Sequence, residues 1–280
     1  MELSNQIVYS KIEDIIDSIP SSSFDLIVTS PPYAGKRKDS YEVINEEKYA
    51  EWFFQLSKKI MRTLKSTGSM VVKLKEGVVK GKRQTYALEY LLKMAQEDYW
   101  TETFIWNKTN PYPTGNKKRL KDGFEYCWQF TRTNDYKFFP NNCLVPANAE
   151  WVIDNQKRNN KGAHNVTNGS GLNMNIRTTS GYARPSNVVT MPTNTINIEH
   201  PATYPVKLPE FFINLMTEEG DLVFDPFMGS GTTALACLST QREYFGVDAK
   251  KEYVELSNER ISSWKEKHLS IKETIFGGED

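Results

Sequence analysis

Two short motifs, each directly behind an apolar run of strand length, constrain this chain more than any other feature. Phe24-Asp25-Leu26-Ile27-Val28 leads into Thr29-Ser30-Pro31-Pro32-Tyr33. Far downstream, Asp221-Leu222-Val223-Phe224 leads into Asp225-Pro226-Phe227-Met228-Gly229-Ser230-Gly231-Thr232-Thr233. A short apolar run bounded by Pro or Gly reads as a buried strand, and ligands of open α/β sheets bind beyond the carboxyl ends of such strands. Both motifs are therefore expected at the same edge of one parallel sheet.

The residues between and around them alternate in period. Tyr49, Trp52, Phe53, Leu56, Ile60, Met61 and Leu64 recur at helical spacing, predicting a helix that stops at Gly68. A strand is expected over 69–74, a helix over 85–97 with Leu88, Leu91, Leu92 and Met94 on its buried face, and a strand over 101–106. From 107 to 197 Asn, Gly, Thr and Pro crowd together and helical periodicity disappears, which reads as a hairpin followed by a loop-rich insertion. Alternation resumes with a helix over 207–217 (Leu208, Phe211, Phe212, Leu215, Met216), a strand at 221–224, a helix at 231–240, a strand at 244–247 and a helix at 250–267. An α/β core formed by 1–106 and 198–280, interrupted by a separate segment at 107–197, suits 280 residues of which 39% are hydrophobic.

Formal net charge is zero, which taken alone argues against a partner as acidic as DNA. The sum hides an asymmetry: residues 107–190 hold twelve Lys or Arg against five acids, so that segment carries +7 and the remainder −7. Cys127, Cys143 and Cys237 form no CxxC pair and have no matching His spacing, so neither a disulfide framework nor a metal site is expected. The N-terminal residues lack a signal-peptide pattern, and no long apolar stretch suggests a membrane span, so a soluble cytoplasmic protein is expected.

Gly229-Ser230-Gly231 opening a helix after a strand allows a ligand to approach the backbone closely. No Lys follows the last glycine as a P-loop requires, and the GxGxxG of dinucleotide sites is absent. The next strand, Tyr244-Phe245-Gly246-Val247, ends in Asp248, whose carboxylate can accept both hydroxyls of a ribose. A nucleoside without phosphates fits best, and S-adenosylmethionine is such a ligand. The structural alternative is a plain strand-to-helix turn, with Asp248 capping the helix near Lys250.

Ser30-Pro31-Pro32-Tyr33 suits chemistry on an exocyclic amine, whose lone pair is delocalised into its ring. The Ser30 hydroxyl and the Pro31 carbonyl can accept its two N–H hydrogens and so localise the pair. The prolines stiffen the loop and add no competing N–H. Tyr33 offers a flat face on which a base swung out of a duplex can stack. An ordinary proline turn with Tyr33 in the core is the bland alternative.

These motifs, in this order, resemble those of the β class of amino-group DNA methyltransferases, in which the catalytic motif precedes the cofactor motif. His200-Pro201-Ala202-Thr203-Tyr204-Pro205-Val206-Lys207-Leu208 is similar to that family's HPAxFPxxL segment, and Tyr244 to Asp248 with Tyr253 and Arg260 resembles its ribose-binding motif. The resemblance implies a circularly permuted, Rossmann-like methyltransferase fold with target recognition over 107–197. It implies S-adenosyl-L-methionine held by Asp225, Pro226, Phe227, Gly229, Ser230, Gly231, Thr232, Thr233, Asp248, Tyr204 and Pro205. Ser10 stands where the family often has an Asp that meets the adenine. Ser-Pro-Pro-Tyr is typical of N4-cytosine enzymes and Asp-Pro-Pro-Tyr of N6-adenine ones.

Double-stranded DNA is then the substrate, with Lys117, Lys118, Arg119, Lys157, Arg158 and Lys161 as candidate contacts. Restriction-modification, with a cognate endonuclease and homodimerisation, is the setting the family implies. Methylation of adenine N6, methylation of a protein glutamine amide, and cofactor-free DNA binding on the same fold are the competing readings.

Overall fold

The computed structural model describes residues 2–35, 44–114, 117–146, 182–193 and 204–276, with side chains through residue 268. In chain order these form β1 (Gln6–Tyr9), α1 (Ile12–Ile15), β2 (Phe24–Thr29), α2 (Glu46–Thr63), β3 (Leu64–Leu74), β4 (Val78–Val79), β5 (Lys82–Arg83), α3 (Tyr86–Gln96), β6 (Trp100–Lys108) and β7 (Phe124–Thr131). Then come β8 (Val145–Pro146), β9 (Tyr182–Ala183), β10 (Val188–Met191), α4 (Lys207–Met216), β11 (Leu222–Asp225), α5 (Thr232–Ser239), β12 (Glu243–Asp248) and α6 (Lys251–Phe276). Among the described residues no helix is long and apolar enough to cross a membrane.

Eight strands form one sheet in the order β1-β12-β11-β2-β3-β7-β6-β10. All neighbours run parallel except β7, which is antiparallel to both β3 and β6. The chain leaves β2 through α2 toward β3 on one side, and leaves β11 through α5 toward β12 on the other. Strand order thus reverses between β2 and β11, and right-handed crossovers put α2 and α5 on opposite faces. A crevice beyond the carboxyl ends of two strands that diverge this way is where such sheets hold ligands. Both motif loops start there.

Phe24, Phe224 and Phe245, on three neighbouring strands, pack ring to ring, Phe24 stacked on Phe224 with centroids 4.5 Å apart and Phe245 tilted against Phe224 at 5.5 Å, and all three are fully buried. Their burial fixes which face of β2, β11 and β12 turns inward, and with it which side chains reach the carboxyl edge.

Two sequence expectations are corrected. The helix predicted to run to Gly68 ends at Thr63, and Gly68 lies inside β3, where the β2–β3 register slips between Phe24 and Leu26. A Cβ at Gly68 would sit 2.7 Å from the Asp25 carbonyl oxygen and 2.7 Å from the Leu64 side chain. This glycine permits close strand approach and does not stop a helix. In α3, Leu88 and Leu92 are exposed (41% and 60%), whereas Tyr86, Ala87, Tyr90 and Met94 are buried. Tyrosine can be the better core residue here because each hydroxyl finds a partner: Tyr86 donates to the Lys75 carbonyl at 2.9 Å and Tyr90 pairs with Ser57 at 3.0 Å.

The structure divides into a unit of 1–139 with 187–280 and a small unit of 140–186. Residues 107–139 thus belong with the core, their β7 strand lying within the main sheet, so the separate unit is narrower than the 107–197 expected from composition. Within the small unit β8 pairs antiparallel with β9.

Candidate active site

Asp225 joins the two motif loops. Its carboxylate, fully buried, accepts from Thr29 Oγ1 at 2.7 Å, from Thr233 Oγ1 at 2.6 Å and from the Phe227 amide at 3.1 Å. Thr29 ends β2 immediately before Ser30, so one side chain holds both loops at the strand divergence. Tyr204 continues the chain of bonds through its hydroxyl, 3.0 Å from Thr233 Oγ1.

Burial pushes the Asp225 carboxyl up to about 6, against the threonine hydroxyls, and the charge of Asp248 adds to the rise. Its ordinary value is 3.8, so between these values the native state holds the proton more tightly than the unfolded chain. Stability contributed by this group therefore falls as pH rises through that window. Urea denaturation from about pH 4 to pH 7 should show of order 2–3 kcal/mol less decline in Asp225→Asn than in the parent chain. Parallel profiles would refute this.

The glycine turn is clamped from behind. Gly231 has φ +79°, and a Cβ there would lie 3.0 Å from Ser257 Cβ. Ser257 donates to the Gly229 carbonyl at 2.7 Å, and Arg260 bonds both the carbonyl and the hydroxyl of Ser230. Asp248, at the end of β12, accepts from the Gly229 amide at 2.8 Å and the Lys250 amide at 2.9 Å. It thus braces the turn and the residue that leads into α6, and a carboxylate oxygen can accept more than one hydrogen bond. Ser10 follows β1, its amide donating to the Asp248 carbonyl at 3.0 Å and its hydroxyl to Lys11. Pro205 is half-buried beside Tyr204 in the chain.

In the first motif Ser30 is half-buried and its hydroxyl has no partner among the described residues; Pro31 is buried and Pro32 half-buried. Tyr33 is tied down by an ionic cluster that no local sequence pattern assembles. Its hydroxyl donates to Glu125 at 3.0 Å and accepts from Lys73 at 3.0 Å. Lys73 also bonds Glu125, and Lys108 reaches the other oxygen at 2.6 Å. The Lys73 ammonium lies 5.6 Å from the Tyr33 ring, 5.7 Å from Trp106 and 5.5 Å from Tyr204.

Burial alone would raise the Glu125 carboxyl, but Lys73, Lys108 and Lys75 together hold it well below the ordinary carboxylate range. Burial, reinforced by the charge of Glu125, pushes Tyr33 up to about 12, so its hydroxyl stays protonated. The available signal was Lys73 itself, a charge within the apolar run Met70-Val71-Val72-Lys73-Leu74, which requires a buried counter-charge. Glu76, just past the end of β3, pairs with Arg83 at 3.3 Å.

Lys117 and Lys118 are exposed in the loop between β6 and β7, and Arg119 bonds Asp122 at 3.0 Å. Lys157, Arg158, Lys161 and His200 lie outside the described residues.

The family model for DNA methylases matches residues 24–259, from the first strand of the divergence into the helix behind the glycine turn. The chain belongs to the DNA methylase family. Among curated relatives, the type II methyltransferase M.PvuII of Proteus hauseri is 30% identical over 95% of this chain and 87% of its own length. The orphan methyltransferase M.BamHII of Bacillus amyloliquefaciens is 29% identical over 89% of this chain and 92% of its own. Among solved structures, PvuII DNA methyltransferase, described as cytosine-N4-specific, has a TM-score of 0.69 at 26% identity, covering 96% of this methylase and 94% of that chain. A DNA modification methylase structure from Thermus thermophilus, complexed with S-adenosyl-L-methionine, shares the fold, with a TM-score of 0.61 at 20% identity over 93% and 95%.

Proposed function

We propose that this methylase transfers the methyl group of S-adenosyl-L-methionine to the exocyclic N4 of cytosine in duplex DNA, on a base turned out of the helix. The observation that carries the reading is the Thr29–Asp225 bond, which sets the Ser30 loop and the glycine loop side by side at the strand divergence.

The residues around the glycine turn suit this cofactor. Asp225 and Asp248 flank a turn that no Lys follows, a setting hostile to phosphates and favourable to a cationic sulfonium with free ribose hydroxyls. Asp225, Pro226, Phe227, Gly229, Ser230, Gly231, Thr232 and Thr233 would hold it, with Asp248, Ser10, Tyr204 and Pro205 around them. When bound it supplies an electrophilic methyl group.

The chain's own residues do the rest. Ser30 Oγ and the Pro31 carbonyl accept the two amine hydrogens, localising the nitrogen lone pair for in-line attack, and the displaced proton leaves to solvent. Tyr33, its hydroxyl fixed by Glu125 and Lys73, presents its ring to the base. Lys117, Lys118 and Arg119 lie in a loop that leaves the same sheet edge and would meet phosphates. The reading includes a restriction-modification setting, with a cognate endonuclease and a homodimer.

Nucleosides from DNA incubated with the protein and S-adenosyl-L-methionine, resolved by mass spectrometry, should contain N4-methylcytosine. N6-methyladenine in its place would overturn the base assignment, and no methylated nucleoside would overturn the activity.

A further inference from the structure

We infer that the β4–β5 hairpin is a phosphate-contacting arm, forming one DNA surface with the loop between β6 and β7. The inference rests on the reading that this methylase acts on duplex DNA, and it adds a contact element lying outside the basic 107–197 segment.

Placement comes first. β3 is parallel to β2, and β6, antiparallel to β7, is parallel to β3. The hairpin follows the end of β3, and the loop holding Lys117 follows the end of β6. Both therefore rise from the carboxyl edge that carries Ser30 and the glycine turn. Asp122 ties them together, taking Arg83 at 3.1 Å, Arg119 at 3.0 Å and Lys75 at 3.5 Å, while Glu76 takes Arg83 at 3.3 Å. Lys75 also lies 3.6 Å from Glu125, so this surface adjoins the cluster that fixes Tyr33.

Charge follows. Residues 75–83 and 117–122 together hold eight basic side chains against two acids, in a chain whose net charge is zero. Both acids are engaged in the ion pairs above, and Lys80, Lys82, Lys117, Lys118 and Lys121 are exposed. A tight turn at Lys80 and Gly81, with φ of +49° and +80°, sets the hairpin, in which Val78 pairs with Arg83 and Val79 with Lys82. Exposed lysines at the tip of a two-stranded ribbon contribute little to stability. Their use is a polyanion, and a short paired ribbon presents them with little ordering cost.

The test is the full chain binding a fluorescent random-sequence duplex across a salt series. Lys80→Gln with Lys82→Gln should weaken binding about tenfold near 0.1 M salt and reduce the slope of log Kd against log salt by roughly 1–2. Lys82→Glu, which changes the charge by the same two units, should weaken it to a similar extent, with S-adenosyl-L-methionine affinity by calorimetry and Tm unchanged in both variants. If the parent chain methylates DNA normally while both variants bind with parental affinity and slope, the arm is refuted and the function stands. A parent chain that neither binds nor methylates duplex DNA would overturn the function, and the arm with it.

Discussion

Glu125→Gln should lower unfolding stability by about 3–5 kcal/mol, because it leaves the buried ammonium of Lys73 without its counter-charge. Both side chains of the pair are less than a tenth exposed, so water cannot take over the role. The loss should be larger than that of any surface ion pair here, such as Lys59 with Asp17, where both partners are largely solvated. The pH dependence has a definite sign. The native carboxyl lies below its ordinary value of 4.5, so the stability it contributes is present above that value and is lost as pH falls below it. Glu125→Gln should therefore flatten the acid limb of the stability profile, read by urea denaturation. Pairing Glu125→Leu with Lys73→Met removes that ion pair but leaves Lys108 without its carboxylate, so it should recover only part of the loss; adding Lys108→Met should recover more. A Glu125→Gln protein as stable as the parent would show that the cluster is not a buried ion pair.

Ser30→Ala should reduce the methyl-transfer rate by about 100- to 1000-fold, the usual consequence of removing one hydrogen-bonding group that acts on charge developing in the transition state. Ser30 is half-buried and bonds none of the described residues, so its loss should leave Tm and S-adenosyl-L-methionine affinity unchanged. Single-turnover kinetics isolate the chemical step from DNA binding and product release. A fall in apparent affinity with an unchanged rate would move Ser30 from chemistry to substrate positioning. Thr29, one residue earlier, should behave oppositely. Thr29→Val leaves the buried Asp225 carboxylate short of a donor and should cost about 1–3 kcal/mol of stability.

The strands before the two motifs were legible because each is short, apolar and bounded by Pro or Gly. The helix at 46–63 was legible because its buried positions repeat at helical spacing. Its end is not legible locally: Gly68 looks like a stop signal, but its missing side chain serves a backbone contact with Asp25, a residue forty-three positions away that no local pattern can report. The buried face of α3 is illegible for a related reason. Hydropathy favours Leu88 and Leu92, but Tyr86 and Tyr90 gain burial through hydroxyl partners on β3's exit and on α2.

The sequence by itself determined the parts. It supplied strands with motif loops behind them, a glycine turn unsuited to phosphate, a hydroxyl and a proline carbonyl at adjacent positions, and a charge asymmetry hidden in a neutral sum. These are properties of neighbouring residues, and local chemistry suffices to read them. Tertiary structure alone decided how they meet. The strand order places β2 beside β11, so Thr29 and Asp225 touch across most of the chain, and Lys73, Lys108 and Glu125 converge from three strands to hold Tyr33. The same strand order brings a hairpin at 78–83 beside a loop at 117–122 through Asp122. A buried charge and a shared basic surface both depend on groups supplied from distant segments, and only the folded sheet brings those segments within a few ångströms of one another.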